Sequence, residues 1–245
     1  TADYIESLYY IAKMQAFYLS HIEGFHIVEP AKVWKLYTTD AYEMDSHYRH
    51  FHLRFGNTLK SPNPLLEDAL KKCTDVVEGL YREWFLKRLT ETWTKSIATD
   101  LESLGYISDT HIPEQRRFYN RYVSPNVSKG NRVFIVVSDA LRYEVAAELS
   151  EKLSHDTKGK STLEAMQAVF PGITKFGMAA LLPGREMSVN DKMDVFVDGN
   201  PTVGTVQRSA ILGIANPNSV AVTYKDLLQM KKQERRDLIV GKEII

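Results

Sequence analysis

The feature that most constrains this chain is a change of periodicity near residue 128. Before it, apolar residues recur at helical spacing and no stretch alternates residue by residue. After it, short β-branched runs alternate with amphipathic segments. In the front part, Ile5, Leu8, Tyr9, Ala12, Ala16 and Leu19 follow the i, i+3, i+4, i+7 spacing that places one apolar stripe on a helix. Leu66, Leu70, Cys73, Val77, Leu80, Tyr81, Trp84 and Trp93 continue the pattern from about Pro64 to Ile97, as one long helix or two joined ones. The aromatic stripe Tyr81, Trp84, Phe85 and Trp93 reads as core. Pro113 opens a further short helix, at a position where a missing N–H costs least. Turn formers from Ser124 to Asn131 then close this part, so residues 1–128 are expected to form a helical domain.

The rear part starts with Arg132 to Val137, a continuous run typical of a strand covered on both faces. It passes through Ser138-Asp139-Ala140 into a helix carrying Leu141, Val145, Leu149 and Leu153. Strand then helix recurs at 162–169 into 174–182, 194–197 into 203–214, and 219–223 into 226–240. Gly241 caps the last helix, and 242–245 reads as the start of another strand. The expected fold class is α+β/α: a helical domain, then an α/β domain over 129–245 with a mainly parallel sheet wrapped by helices.

Composition narrows the function classes. Lys plus Arg and Asp plus Glu both number 31, so no overall basic field draws the chain to nucleic acid or an acidic membrane. The longest apolar runs, 133–137 and 178–182, fall far short of the ~20 residues of a membrane span. The lone Cys73 permits no internal disulfide, which suits a reducing cytoplasm. The chain begins at Thr1 and stops as an apolar run gets under way, so it is expected to be a piece of a longer protein.

In parallel α/β sheets, ligands gather beyond the carboxyl ends of the strands. Asp139 stands at such an end, where it can bind a metal, take a proton or merely cap the next helix. Thr174 follows Pro171-Gly172 at the start of a small-residue helix, where a hydroxyl meets free N–H groups suited to a phosphate, or serves as a helix cap. Arg142 can reach a phosphate or pair with Glu144, and the exposed Lys175 can steer an anion. His47 and His50 would share a helix face, with His52 pointing elsewhere, a weak pattern for a metal site. Lys231, Lys232, Arg235 and Arg236, interleaved with Glu234 and Asp237, form a solvated helix face or a nucleic-acid contact.

Asp139 and Thr174 together are more telling than either alone. Asp-Ala-Leu-Arg closing a strand, then Phe-Pro-x-x-Thr with its threonine 35 residues beyond the aspartate, then Leu-Leu-x-Gly, resembles the alkaline phosphatase superfamily. The wording is closer still to the PglZ family of BREX phage-defence systems. The resemblance rests on 136–146 (Val-Val-Ser-Asp-Ala-Leu-Arg-Tyr-Glu-Val-Ala) and 176–183 (Phe-Gly-Met-Ala-Ala-Leu-Leu-Pro). Similar segments are 198–202 (Asp-Gly-Asn-Pro-Thr), 114–119 (Glu-Gln-Arg-Arg-Phe-Tyr) and, in the helical region, 46–51 (Ser-His-Tyr-Arg-His-Phe). Gly172 stands where that loop more often carries serine.

The resemblance implies a metal-dependent phosphoesterase in which Thr174 is the nucleophile and Asp139 ligates a divalent cation, zinc first, with manganese or magnesium admissible. Thr174 counts among the metal's ligands as well. The superfamily takes its other ligands from Asp and His C-terminal to the nucleophile, yet all seven histidines lie at or before His155. The remaining ligands are therefore expected beyond residue 245, and this piece alone is expected to hold metal weakly and hydrolyse poorly. Implied partners are other BREX defence proteins and DNA in the full assembly, with self-association along an unfinished sheet edge near Ile245 and no membrane. A non-catalytic docking module of the defence complex is the competing reading.

Overall fold

A computed structural model describes residues 2–60 and 63–245. Two compact units emerge: Thr1–Ile112 with Leu141–Ala165, and Pro113–Ala140 with Met166–Ile245. A single cut after residue 128 does not reproduce this division, because the segment from Leu141 to Ala165 joins the helical unit.

The helical unit begins with α1 (Ala2–Ser20), α2 (Pro30–Leu36) and α3 (Tyr42–Thr58), the last two joined by a π-type turn at Tyr37–Ala41. A second run contains α4 (Pro64–Glu78), a π-type stretch at Gly79–Leu86 and α5 (Lys87–Leu104). The two candidate helices of this region are thus joined without a break. Gly105, at φ 75, ends the run in the left-handed conformation that glycine adopts at little cost, its N–H bonded to Leu101 O at 3.1 Å.

Met14, Phe17, Met44, Phe51, Val77, Tyr81 and Phe85 build the core of this unit. The stripe expected on α1 is not the one that packs: Ile5, Leu8, Tyr9 and Leu19 are exposed, while Tyr4, Ser7, Met14 and Phe17 are buried against α3 and its neighbours. Two apolar stripes overlap on this helix, and the face bearing Met14 and Phe17 is the one that joins the core with Met44 and Phe51. Later in the chain α7 (Tyr143–Asp156) docks on α3 through charge. Arg142 contacts Asp45 at 3.2 Å and Glu144 at 2.9 Å, and Arg49 meets Glu148 at 2.7 Å. The Tyr143 hydroxyl donates to Thr38 O at 2.9 Å. Glu144 is fully buried and Asp45 nearly so, and Asp45 also accepts from the Tyr37 and Tyr81 hydroxyls at 2.6 and 2.5 Å. Buried carboxylates persist when paired in this way.

The second unit begins with a 3₁₀ turn at Gln115–Arg117, a π-type turn at Tyr119–Val123 and α6 (Ser124–Ser128). The expected break at 124–131 is therefore partly helical, with Pro125 in the first turn of α6. There follow α8 (Thr174–Ala180), α9 (Thr205–Ala215), α10 (Tyr224–Gln229) and α11 (Lys232–Ile239). Thr223 caps α10, its side chain accepting from Asp226 N at 3.0 Å.

The sheet corrects the expectation of a mainly parallel one. It is a three-stranded antiparallel sheet of β1 (Met187–Val189), β2 (Val195–Val197) and β3 (Asn200–Pro201), in the order β1-β2-β3. Met187 pairs with Val197, and Val197 with Asn200. Local turns suffice for this pairing, whereas parallel pairing requires a long crossover. Among the described residues parallel pairing occurs only as isolated bridges, Glu114 with Gln167, Val133 with Ile244, and Ser219 with Ile244. The 243–245 segment thus lies between Val133–Ile135 and Asn218–Val220, with Ile244 buried against Tyr119 and Val123. No free edge falls at Ile245 on either of these sides. The strand expected over Arg132–Val137 is not covered on both faces: Val133 and Ile135 pack toward Ile244, while Val136 is 91% exposed.

Candidate active site

Asp139 and Thr174 lie in the second unit and meet. The Thr174 hydroxyl donates to Asp139 Oδ2 at 3.0 Å, with Oδ1 at 3.4 Å. Both residues are exposed. The capping alternatives for the two residues are not realised. Ile173 is the N-cap of α8, with Thr174 as its first helical residue, and Arg142 is the N-cap of α7. Neither helix start receives a side-chain cap bond. With only seven residues, α8 is too short for its dipole to carry an argument for anion binding.

The loop leading to Thr174 is held at both flanks by one side chain. Gln115 Oε1 accepts from Val169 N at 3.2 Å, and Gln115 Nε2 donates to Gly177 O at 3.4 Å. The Gln115 backbone N–H also donates to Gln167 O at 3.0 Å. Between these anchors the Phe170–Pro171 bond is cis, and Ile173 N donates to Pro171 O at 2.8 Å. Behind the loop, α8 rests on β2 through Phe176, Ala179, Val195 and Val197. Gly184 follows in Leu-Leu-Pro-Gly, and a Cβ there would overlap the Val197 side chain. The Asp198-Gly199 turn has positive φ at both residues, the geometry of a tight hairpin turn. The Asp198 carboxylate accepts from the backbone of Arg185 and Glu186 at 3.1 and 2.9 Å, bonds that hold its pKa below the usual value.

The other sequence candidates fall elsewhere. Arg142 belongs to the helical unit, where its guanidinium engages Glu144 and Asp45, and Lys175 lies over the Phe176 ring at 5.7 Å. Among the three histidines, His50 stacks on Tyr10 and bonds Glu148, while His52 meets Glu78 at 3.1 Å. Burial lowers the His47 pKa to about 4. Among the described residues no group of three or more His, Cys, Asp or Glu is placed to hold a metal. The basic side chains of α11 are exposed. No described helix is long and apolar enough to cross a membrane.

The donor set fits a divalent cation in part. Asp139 and Thr174 present two oxygens 3.0 Å apart, a spacing suited to adjacent ligand positions around one small cation. Gln115 is not legible as a functional residue from its chemistry, because a neutral amide bonding backbone leaves no charge or metal-ligand pattern. Its position in the 114–119 segment was the available signal.

Residues 118–245 match the family model described as the BREX system PglZ alkaline phosphatase-like domain. The chain belongs to the PglZ family. It is 33% identical over 216 residues to an alkaline phosphatase-like protein PglZ of Bacillus cereus (strain H3081.97), covering 88% of this chain and 24% of that protein. It is 34% identical over 229 residues to an alkaline phosphatase-like protein BrxZ of Escherichia coli O9:H4 (strain HS), covering 92% of this chain and 26% of that protein. The chain thus spans about a quarter of the length of these curated relatives. No solved structure matches it.

Proposed function

We propose that this PglZ chain contributes the nucleophile and one metal ligand to a metal-dependent phosphoesterase of BREX defence. The observation that carries the reading is the hydrogen bond from Thr174 to Asp139, formed in preference to a helix cap by either residue. Asp139 Oδ2 holds the hydroxyl proton and so orients the Thr174 oxygen. As that oxygen bonds to phosphorus its proton passes to Asp139, the ester P–O bond breaks, and the leaving oxygen takes up that proton directly or through water. Water later cleaves the phosphothreonine bond, its hydroxide joining phosphorus and its proton returning to the Thr174 oxygen, with phosphate released from a monoester or the phosphomonoester from a diester. A neutral threonine hydroxyl is a weak nucleophile, and a divalent cation held by Asp139 and Thr174 would supply the charge that favours its deprotonated form. Zinc is the first choice, with manganese and magnesium next, and the further ligands come from the longer protein. Lys175 steers the anionic substrate toward the exposed loop.

Partners under this reading are other BREX defence proteins in the cytoplasm and DNA at the level of the full assembly. A second reading, a docking module without catalysis, draws on the absence of a third ligand among the described residues. The test is hydrolysis of an aryl phosphomonoester and an aryl phosphodiester by the full-length protein, with and without each cation. Cation-dependent turnover of either ester supports the enzyme. Turnover of neither, in folded protein, supports the docking module.

A further inference from the structure

The amide of Gln115 bridges the two flanks of the segment that carries Thr174. One flank is Val169, whose N–H donates to Gln115 Oε1 at 3.2 Å, and the other is Gly177, whose carbonyl accepts from Gln115 Nε2 at 3.4 Å. The partners fix the amide's orientation, since a backbone N–H needs an acceptor and a carbonyl needs a donor. The main chain reinforces the bridge: Gln115 N donates to Gln167 O at 3.0 Å and Gln167 N to Pro113 O at 2.7 Å. Between the flanks the chain is thinly supported, with Phe170 96% exposed and open space around Gly172.

We propose that Gln115 is a positioning residue for Thr174, setting the height and direction of the nucleophile loop by bonding both of its ends. It touches no reacting atom and acts through the backbone of Val169 and Gly177. The assignment rests on Thr174 being the nucleophile, so the experiment reads the two claims separately.

Displacing a nucleophile by about 1 Å can cost up to ~100-fold in turnover while leaving ground-state binding nearly intact. In the full-length protein, Gln115→Met keeps the side chain's bulk and removes both bonds, and Gln115→Glu keeps only the acceptor for Val169 N–H. The expected result for Gln115→Met is a kcat roughly 10- to 100-fold lower, with KM changed less than about threefold. Gln115→Glu is expected to keep Val169 protected in hydrogen exchange, whereas Gln115→Met exposes it. Unchanged kcat in folded Gln115→Met, or a loss carried entirely by KM, would overturn the proposal. Should Gln115→Met fail to fold, amide exchange in the wild-type protein decides: slow exchange at Val169 beside fast exchange at Gly172 is expected, and equal rates overturn it. Thr174→Ala is assayed in parallel, and wild-type turnover there would refute the nucleophile while leaving the exchange result for Gln115 standing.

Discussion

Replacing His47 by glutamine should remove a large part of the acid sensitivity of the helical unit. The His47 side chain is 16% exposed, and burial, with Lys13 and His50 nearby, lowers its pKa from 6.5 to about 4. Glu43 lies 3.9 Å away but is itself more than half exposed, too well solvated to reverse the sign. The folded protein therefore keeps His47 neutral, while the unfolded chain takes up a proton once pH falls below 6.5. Stability from this group is complete above 6.5 and drains away as pH falls toward 4. With ~1.36 kcal/mol per pKa unit, the loss reaches about 2 kcal/mol by about pH 5 and about 3 kcal/mol below the folded pKa. Trp34, Trp84 and Trp93 all lie in the helical unit, so tryptophan fluorescence in urea follows its unfolding. Wild type should lose about 2 kcal/mol more than His47→Gln between about pH 7.5 and about pH 5. Other carboxylates and histidines titrate in both proteins and cancel in the difference. Parallel stability curves would refute the reasoning.

Three further outcomes follow from packing. Gly184→Ala drives a Cβ into Val197 and to 3.2 Å from Asp198 Oδ2, and should cost about 1–3 kcal/mol in thermal or urea unfolding. Gly172→Ser, with nothing within 4 Å of the new Cβ, should stay within about 0.5 kcal/mol of wild type in the same assay. Ile244→Ala empties a site only 1% exposed between Tyr119, Val123 and Val133, and should cost about 2–4 kcal/mol. A neutral Ile244→Ala would mean that the 243–245 segment is not held as described.

Helical periodicity made the front half legible down to the aromatic core at Tyr81 and Phe85. It picked out the wrong face of α1, because burial there depends on which face meets Met44 and Phe51 of α3. The β-branched run at Arg132–Val137 suggested burial on both faces, but the chain pairs there only at isolated positions and leaves Val136 open. Of the local hairpin at 187–201 only the central strand was legible, expected at 194–197 and found at Val195–Val197, since β1 and β3, two or three residues long, carry no alternating signal. Asp139 and Thr174 stood out through their motif spacing, and the structure places them within one hydrogen bond. The docking of α7 on α3 was hidden because its ion pairs join residues about a hundred positions apart, as with Arg49 and Glu148. Gln115 was hidden for a related reason: a residue that bonds backbone leaves no trace in residue chemistry.

The most direct test of the account is phosphoester turnover by the full-length protein carrying Thr174→Ala and, separately, Thr174→Ser. The hydroxyl at 174 is exposed, so neither change should disturb folding, and thermal unfolding checks this. Removing a nucleophile should lower kcat/KM by at least about a thousandfold, whereas serine, which keeps the attacking oxygen, should retain measurable cation-dependent turnover. Wild-type turnover in folded Thr174→Ala would contradict the assignment of the nucleophile and, with it, the proposed function of this site.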